Sequence, residues 1–226
     1  LPKLRAKTAG RGQNPQYVNE IAALLEQLRA HVADARVLEA IATIPRERFV
    51  PAAEQARAYE NVALPIGCEQ TISQPLVVAR MLEVLELRAS DRVLDIGTGS
   101  GYHAALLARL AGHVWTIERH ADLARHAEEV IGSLAITNVT FAVGDGYDGL
   151  REQAPFDAIN VAAAIGGSVP AELEHQLAVG GRLVAPVGET EQRLTLIRRT
   201  SAGLERQPLE PVRFVPLVRD HRDARA

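Results

Sequence analysis

Apolar residues recur at helical spacing early in the chain, at Val18, Ile21, Ala22, Leu24, Leu25 and Leu28, then at Val37, Leu38 and Ile41. Steps of three and four place such residues on one face, which predicts two helices within 16–43. Residues 1–15 are polar with Gly and Pro and read as a loose arm. Pro45, Pro51 and Pro65 interrupt the next stretch, so 44–70 reads as mostly loop. From residue 75 the pattern becomes regular. Helix 76–87 leads to strand 92–96, and a glycine-rich turn opens helix 101–111. Strand 113–118, helix 121–134 and strand 138–143 come next, then a loop with a short helix. Strand 156–161 leads to helix 170–178, and Gly180–Gly181 turn the chain into strand 182–187. Two final strands, 192–199 and 211–217, flank a loop containing Gly203.

Strands alternating with helices specify an α/β fold with a doubly wound, mostly parallel sheet. The last two strands have only a hairpin-like link and add an antiparallel element. Three segments result: an N-terminal helical and loop region, 1–74, a core, 75–218, and a polar tail, 219–226.

The segment Asp95-Ile96-Gly97-Thr98-Gly99-Ser100-Gly101 follows the first core strand and opens a helix. In open α/β sheets ligands bind beyond the carboxyl ends of the strands, where glycine lets the backbone approach them. The Gly-x-Gly-x-Gly spacing differs from the Gly-x-Gly-x-x-Gly dinucleotide fingerprint and lacks the Lys-Ser/Thr ending of a P-loop. A bare strand-to-helix turn would not require three alternate glycines beside an acid. Glu118 ends the second core strand, where a carboxylate can accept both ribose hydroxyls of a nucleoside. Asp145, in Gly144-Asp145-Gly146, follows the third and suits an adenine edge. Either acid alone could be a surface residue; at successive strand ends they form a row. Asp95 either organises the loop or meets the cofactor's amino group. The constellation resembles the Rossmann-like S-adenosylmethionine methyltransferases of class I over about 75–190.

Composition narrows the partners. A 226-residue chain with 47% hydrophobic residues can bury a sizeable core, and a net charge of −3 gives no basic excess for nucleic acid. No apolar run approaches the ~20 residues of a membrane span. The basic residues near the two ends read as solvated tails. The single cysteine, Cys68, rules out an internal disulfide and suits a reducing compartment, so a cytoplasmic protein is expected. Cys68 itself is expected to be a small packed residue. The seven histidines show no arrangement that demands catalysis; His103, beside the glycine loop, is expected on a helix surface. No spacing of His or Cys suggests a metal site.

The segment Leu64-Pro65-Ile66-Gly67-Cys68-Glu69-Gln70-Thr71-Ile72-Ser73-Gln74-Pro75 precedes the helix that feeds the first core strand. Ser73 could serve merely as an N-cap. The whole segment, however, is similar to the signature of the protein-L-isoaspartate O-methyltransferases, close to LPIG-x-x-QTIS-x-P. Further matches occur in order: Ile44–Pro51, the Asp95–Tyr102 loop, Val143–Gly146, Gly180–Val184, Pro186–Gly188 and Val212–Leu217. The resemblance spans roughly 17–218. It implies that Ser73 is the active-site serine, with Gln70, Thr71 and Ile72 closing over S-adenosylmethionine. It also implies cofactor contacts from Gly97, Thr98, Gly99, Gly101, Glu118, Arg119 and Gly146, alongside Asp95 and Asp145. S-adenosylhomocysteine would be the product, isoaspartyl proteins and peptides the substrates, and the enzyme a monomer. The Val-Pro-Leu segment would wall the substrate carboxyl. Three positions depart from the family pattern: Ala162-Ala163-Ala164-Ile165-Gly166 lacks a proline, Leu76 stands where some members have histidine, and Cys68 is unusual. A methyltransferase dedicated to an aspartate in one partner peptide, a small-molecule methyltransferase and a non-catalytic cofactor-binding module remain alternatives.

Overall fold

The computed structural model describes residues 15–219. The expected N-terminal arm, save Pro15, and the tail beyond Arg219 lie outside the described residues. Two helices form where the apolar stripe predicts them, α1 (Val18–Arg29) and α2 (Ala35–Thr43). Asp34 caps α2 by accepting the Arg36 backbone N–H at 2.9 Å. The expected loop over 44–70 is more ordered than the prolines suggest. It holds two short 3₁₀ turns, 46–49 and 52–57, and the strand β1 (Leu64–Gly67). The antiparallel strand β2 (Gln70–Ile72) closes a hairpin with β1. Prolines 45 and 51 precede the 3₁₀ turns and so cost them no hydrogen bond.

The alternating part continues as α3 (Pro75–Val84), β3 (Arg92–Ile96), α4 (Tyr102–Leu110), β4 (His113–Glu118), α5 (Ala121–Ser133) and β5 (Val139–Val143). Then come β6 (Phe156–Val161), α6 (Ala171–Gln176), β7 (Leu177–Val187), β8 (Gln192–Thr200) and β9 (Gly203–Val212). The seven-stranded sheet has the order β5-β4-β3-β6-β7-β8-β9. Strands β3 to β7 pair in parallel, and β8 and β9 extend the sheet antiparallel. Successive strands run from β3 out to β5, then jump back to β6 on the other side of β3. That reversal puts the crevice for a ligand beyond the ends of β3 and β6.

Two strand expectations are corrected. Gly180 and Gly181 do not turn the chain into β7; the strand runs through them. Gly180 has φ +85°, and the register slips opposite Phe156–Ala158, so the pair forms an irregularity inside the strand. The last strand is Gly203–Val212, not 211–217. As the sheet edge it hydrogen-bonds on one side only, which tolerates Pro208 and Pro211. Residues 213–217 instead cross the carboxyl end of the sheet, joined to it by a bridge from Pro216 to Ala164.

Alternate residues of each strand face opposite sides. Val93 joins a core shared with Leu24, Leu28, Ile41, Met81, Leu82 and Leu107. Leu94 joins a second core with Phe156, Ile159, Leu173 and Leu183 on the other face. The N-terminal helices are therefore built into the main core. Truncating a side chain as buried as Leu28 would cost about 2–5 kcal/mol. Arg182, buried at the sheet's far end, binds Asp91 at 2.7 Å and the carbonyls of Leu85, Glu86 and Asp157. It thereby fastens β7 to the link that delivers β3.

Candidate active site

At the carboxyl end of β3 the chain must turn sharply into α4. Gly97, Gly99 and Gly101 all have positive φ, at +87°, +52° and +90°. The turn is held from below. The Gly97 N–H donates to the Ile117 carbonyl at 2.9 Å, and the Thr98 hydroxyl meets that of Thr116 at 2.6 Å. Thr116 donates to Asp95 at 2.9 Å, and Asn160 donates to the other carboxylate oxygen at 2.7 Å. Asp95 is fully buried, and burial pushes its pKa up to about 7 against the opposing bonds from Asn160 and Thr116. It serves as the keystone of the loop, and the cleft is lined by its neighbours.

Glu118 ends β4 with its carboxylate turned to the loop. Oε2 accepts the Gly99 N–H at 2.9 Å and Oε1 accepts the His120 N–H at 3.1 Å. A carboxylate offers about four lone-pair sites, so two stay open for a diol. The cleft above it has a volume of about 620 Å³ including its mouth. Gln70, Thr71, Gly97, Gly99, Glu118, Arg119 and Gly146 line it, as the sequence led us to expect. A volume of this order matches a small-molecule site of 300–1,000 Å³. Gly146 fits as a packing glycine, since a Cβ there would stand 2.6 Å from Ile96 and 3.0 Å from Leu217.

The other expected residues take different places. Ile72, Ser73 and Thr98 line an adjoining recess. Gly101 caps the N-terminus of α4 and lies against α5, where a Cβ would meet Ala127 at 3.0 Å. Asp145 is buried and accepts the Tyr147 N–H at 2.8 Å, which orders the turn after β5.

Ser73 follows β2. It is not the N-cap of α3; that position is Gln74, without a side-chain cap bond. The Ser73 carbonyl instead accepts from Arg46 Nη2 at 2.9 Å. Arg46 is fully buried, donates also to the Ala58 carbonyl at 2.8 Å, and lies 5.0 Å over the Tyr102 ring. Burial lowers its pKa to about 10, so it stays charged at neutral pH. Ser73 also lines an open groove with Ala63, Gln74, Val77 and the 211–215 segment. Thr71, Ala162 and Val215 border both this groove and the cleft.

The loop after β6 is firmly pinned. Ala164 donates to the Val215 carbonyl at 2.8 Å and accepts from Leu217 at 2.7 Å, while Ile165 bonds Pro186 and Gly188 at 2.9 Å each. The 215–218 wall is thereby tied to the sheet without a proline in the loop.

Two expectations fail here. His103 is not on the helix surface; it is 94% buried, because α4 is covered on nearly every side. Burial lowers its pKa to about 4, leaving the ring neutral. Cys68 is exposed, not packed; it occupies the hairpin tip with φ +49°. Sequence reasoning also missed Arg46, Thr116 and Asn160. Asn160 left a signal, as a lone amide in the apolar run Phe156–Val161. Arg46 left a weaker one, a charge between Pro45 and Phe49 where the chain is otherwise buried.

The chain matches the family model described as protein-L-isoaspartate(D-aspartate) O-methyltransferase over residues 19–222. It is 53% identical over 200 residues to the protein-L-isoaspartate O-methyltransferase of Rhodospirillum centenum, covering 87% of this chain and 90% of that one. It is 50% identical over 202 residues to that of Cronobacter sakazakii, covering 89% and 97%. The structure of a Plasmodium falciparum beta-aspartate methyltransferase in complex with S-adenosyl-L-homocysteine superposes with a TM-score of 0.74 at 27% identity, covering 87% of this chain and 97% of that one. The chain therefore belongs to the protein-L-isoaspartate(D-aspartate) O-methyltransferase family.

Proposed function

We propose that this chain methylates the α-carboxyl of isoaspartyl residues in proteins and peptides, with Ser73 orienting the carboxylate. The observation that carries this reading is the shared border of Thr71, Ala162 and Val215, which lets two reactants meet edge to edge. In this reading Glu118, Gly97, Gly99, Arg119 and Gly146 hold S-adenosylmethionine in the cleft. Gln70 and Thr71 cover it, and residues 1–74 complete the active site. When bound, the cofactor supplies an electrophilic methyl group on a sulfonium.

A carboxylate with a pKa near 4 is already ionised at neutral pH, so no general base is required. One of its oxygens attacks the methyl carbon in line as the methyl–sulfur bond breaks. The chain supplies position. Aligned reactants can gain up to about 7–11 kcal/mol over a free encounter. The Ser73 hydroxyl donates to the carboxylate and fixes its angle. The 213–217 segment covers the groove and strips water from the nucleophile. The ester then reacts without further help. The adjoining peptide nitrogen attacks the ester carbonyl, methanol leaves with the nitrogen's proton, and a succinimide forms. Its hydrolysis returns part of the material to normal aspartate.

A monomer working in the cytoplasm completes the proposal, supported by the single cysteine. Among the described residues no helix is long and apolar enough to cross a membrane. Ser73→Ala should lower turnover of an isoaspartyl peptide ~10-fold or more, while the dissociation constant for S-adenosylmethionine changes less than about 2-fold. Unchanged turnover would remove Ser73 from the mechanism.

A further inference from the structure

Beneath Ser73 lies a recess of about 40 Å³, walled by Thr71, Ser73, Ser100, Tyr102 and His103. Two polar atoms of its walls, His103 Nε2 and the Tyr102 hydroxyl, are buried without a hydrogen-bond partner. Neither residue has a part in the cofactor cleft. Such atoms are costly to leave unpaired, and a site of this size with two or more polar groups has room for an ordered water.

The His103 tautomer can be assigned from its one partner. Its ring makes a bond to the Val78 backbone that favours the protonated form, so the ring is the donor. Nε2 is the unpartnered nitrogen, so Nδ1–H makes that bond. Nε2 is then a pure acceptor.

We propose that His103 is a positioning residue for Ser73, acting through one water in this recess. The proposal rests on the reading of Ser73 as the group that orients the substrate carboxylate. The water donates one proton to His103 Nε2 and the other to the Ser73 oxygen, and accepts the Tyr102 hydroxyl. Each group is then satisfied once. A Ser73 oxygen that accepts from below has its own proton turned outward, toward the substrate. A donor at position 103 would reverse the water and leave Ser73 facing inward. An acceptor here thus sets the polarity of the hydroxyl.

The test is a double-mutant cycle between His103→Leu and Ser73→Ala, with methyl transfer to an isoaspartyl peptide as the readout. His103→Leu should lower kcat ~10-fold in the natural background and less than about 2-fold in the Ser73→Ala background, with cofactor affinity unchanged in both. His103→Gln, which can still present an acceptor oxygen, should recover at least about half of the lost turnover. Equal falls in the two backgrounds, or no fall at all, would overturn the proposal. Should His103→Leu fail to fold, Tyr102→Phe removes only the other hydroxyl and serves in the same cycle. There a fall of ~3-fold confined to the natural background is expected, and equal falls in both backgrounds, or none, overturn the proposal. Natural turnover in Ser73→Ala alone would sink the reading of Ser73 itself. A slow Ser73→Ala beside a fully active His103→Leu would sink only the role of His103.

Discussion

The two halves of the site stand on different floors. Under the glycine loop, Asp95 is bonded to Thr116 and Asn160, and Thr116 passes the chain to Thr98. Under the Ser73 segment, Arg46 Nη1, the Tyr102 hydroxyl and His103 Nε2 are buried without partners. The first floor is closed and holds a backbone shape. The second keeps hydrogen-bonding capacity in reserve beside the one hydroxyl that must meet a variable substrate. Cofactor binding calls for a rigid cradle, whereas substrate binding calls for an oriented proton. Each floor is built for its own task.

Breaking the second floor should have the largest effect. Arg46 satisfies the carbonyls of Ala58 and Ser73, and its burial leaves water no access to take its place. Arg46→Met should lower stability to urea by about 3 kcal/mol, since each stranded carbonyl costs about 1–3 kcal/mol. Turnover should fall further than cofactor affinity. A loss under about 1 kcal/mol would show that the segment does not depend on this anchor.

The pH dependence of stability sharpens the contrast further. Asp95 is held at about 7, against about 4 in an unfolded chain, so the native state binds the extra proton between those values. Its contribution to stability therefore falls as the pH rises from about 4 to 7, and is flat beyond. His103 is held at about 4, against about 6.5 unfolded, so the unfolded state binds the extra proton. Its contribution rises as the pH climbs from about 4 to 6.5. The two slopes oppose each other, each by up to about 1.4 kcal/mol per pH unit. Asp95→Asn should uncover a stability that rises with pH in this window, and His103→Leu one that falls. Urea unfolding at several pH values checks both. Curves parallel to that of the natural chain would mean that neither group titrates as its burial requires.

The smallest effect is expected at the hairpin over the cleft. Cys68 and Glu69 both have positive φ, at +49° and +59°, which a two-residue turn of this hand requires and which suits Asn-Gly. Replacing the pair by Asn-Gly should raise stability by about 1 kcal/mol and leave the chemistry alone. A drop in melting temperature would contradict this reading of the turn.

Much of the fold and the cofactor cleft was legible in the residues. The alternation of strands and helices after residue 75 placed the crevice, because a parallel sheet has few ways to connect. The glycine loop and Glu118 were legible because glycine and a strand-end acid have a backbone reason to be there. Asp95 was read with two roles open, since nothing local says that Thr116 and Asn160 will converge on it. The second floor was hidden for the same reason. Arg46, Tyr102 and His103 are far from Ser73 in sequence, and only the folded core shows that they share one space beneath it. The last strand was misplaced because Pro208 and Pro211 read as breakers, while an edge strand with one hydrogen-bonded side admits them.

The central claim is that this site transfers a methyl group to a carboxylate presented by an isoaspartyl linkage. The most direct measurement is transfer of labelled methyl from S-adenosylmethionine to two peptides of identical sequence, one with isoaspartate and one with normal aspartate at the same position. Strong labelling of the isoaspartyl peptide alone is expected. Equal labelling of the two, or labelling of neither while the cofactor still binds, would contradict the claim.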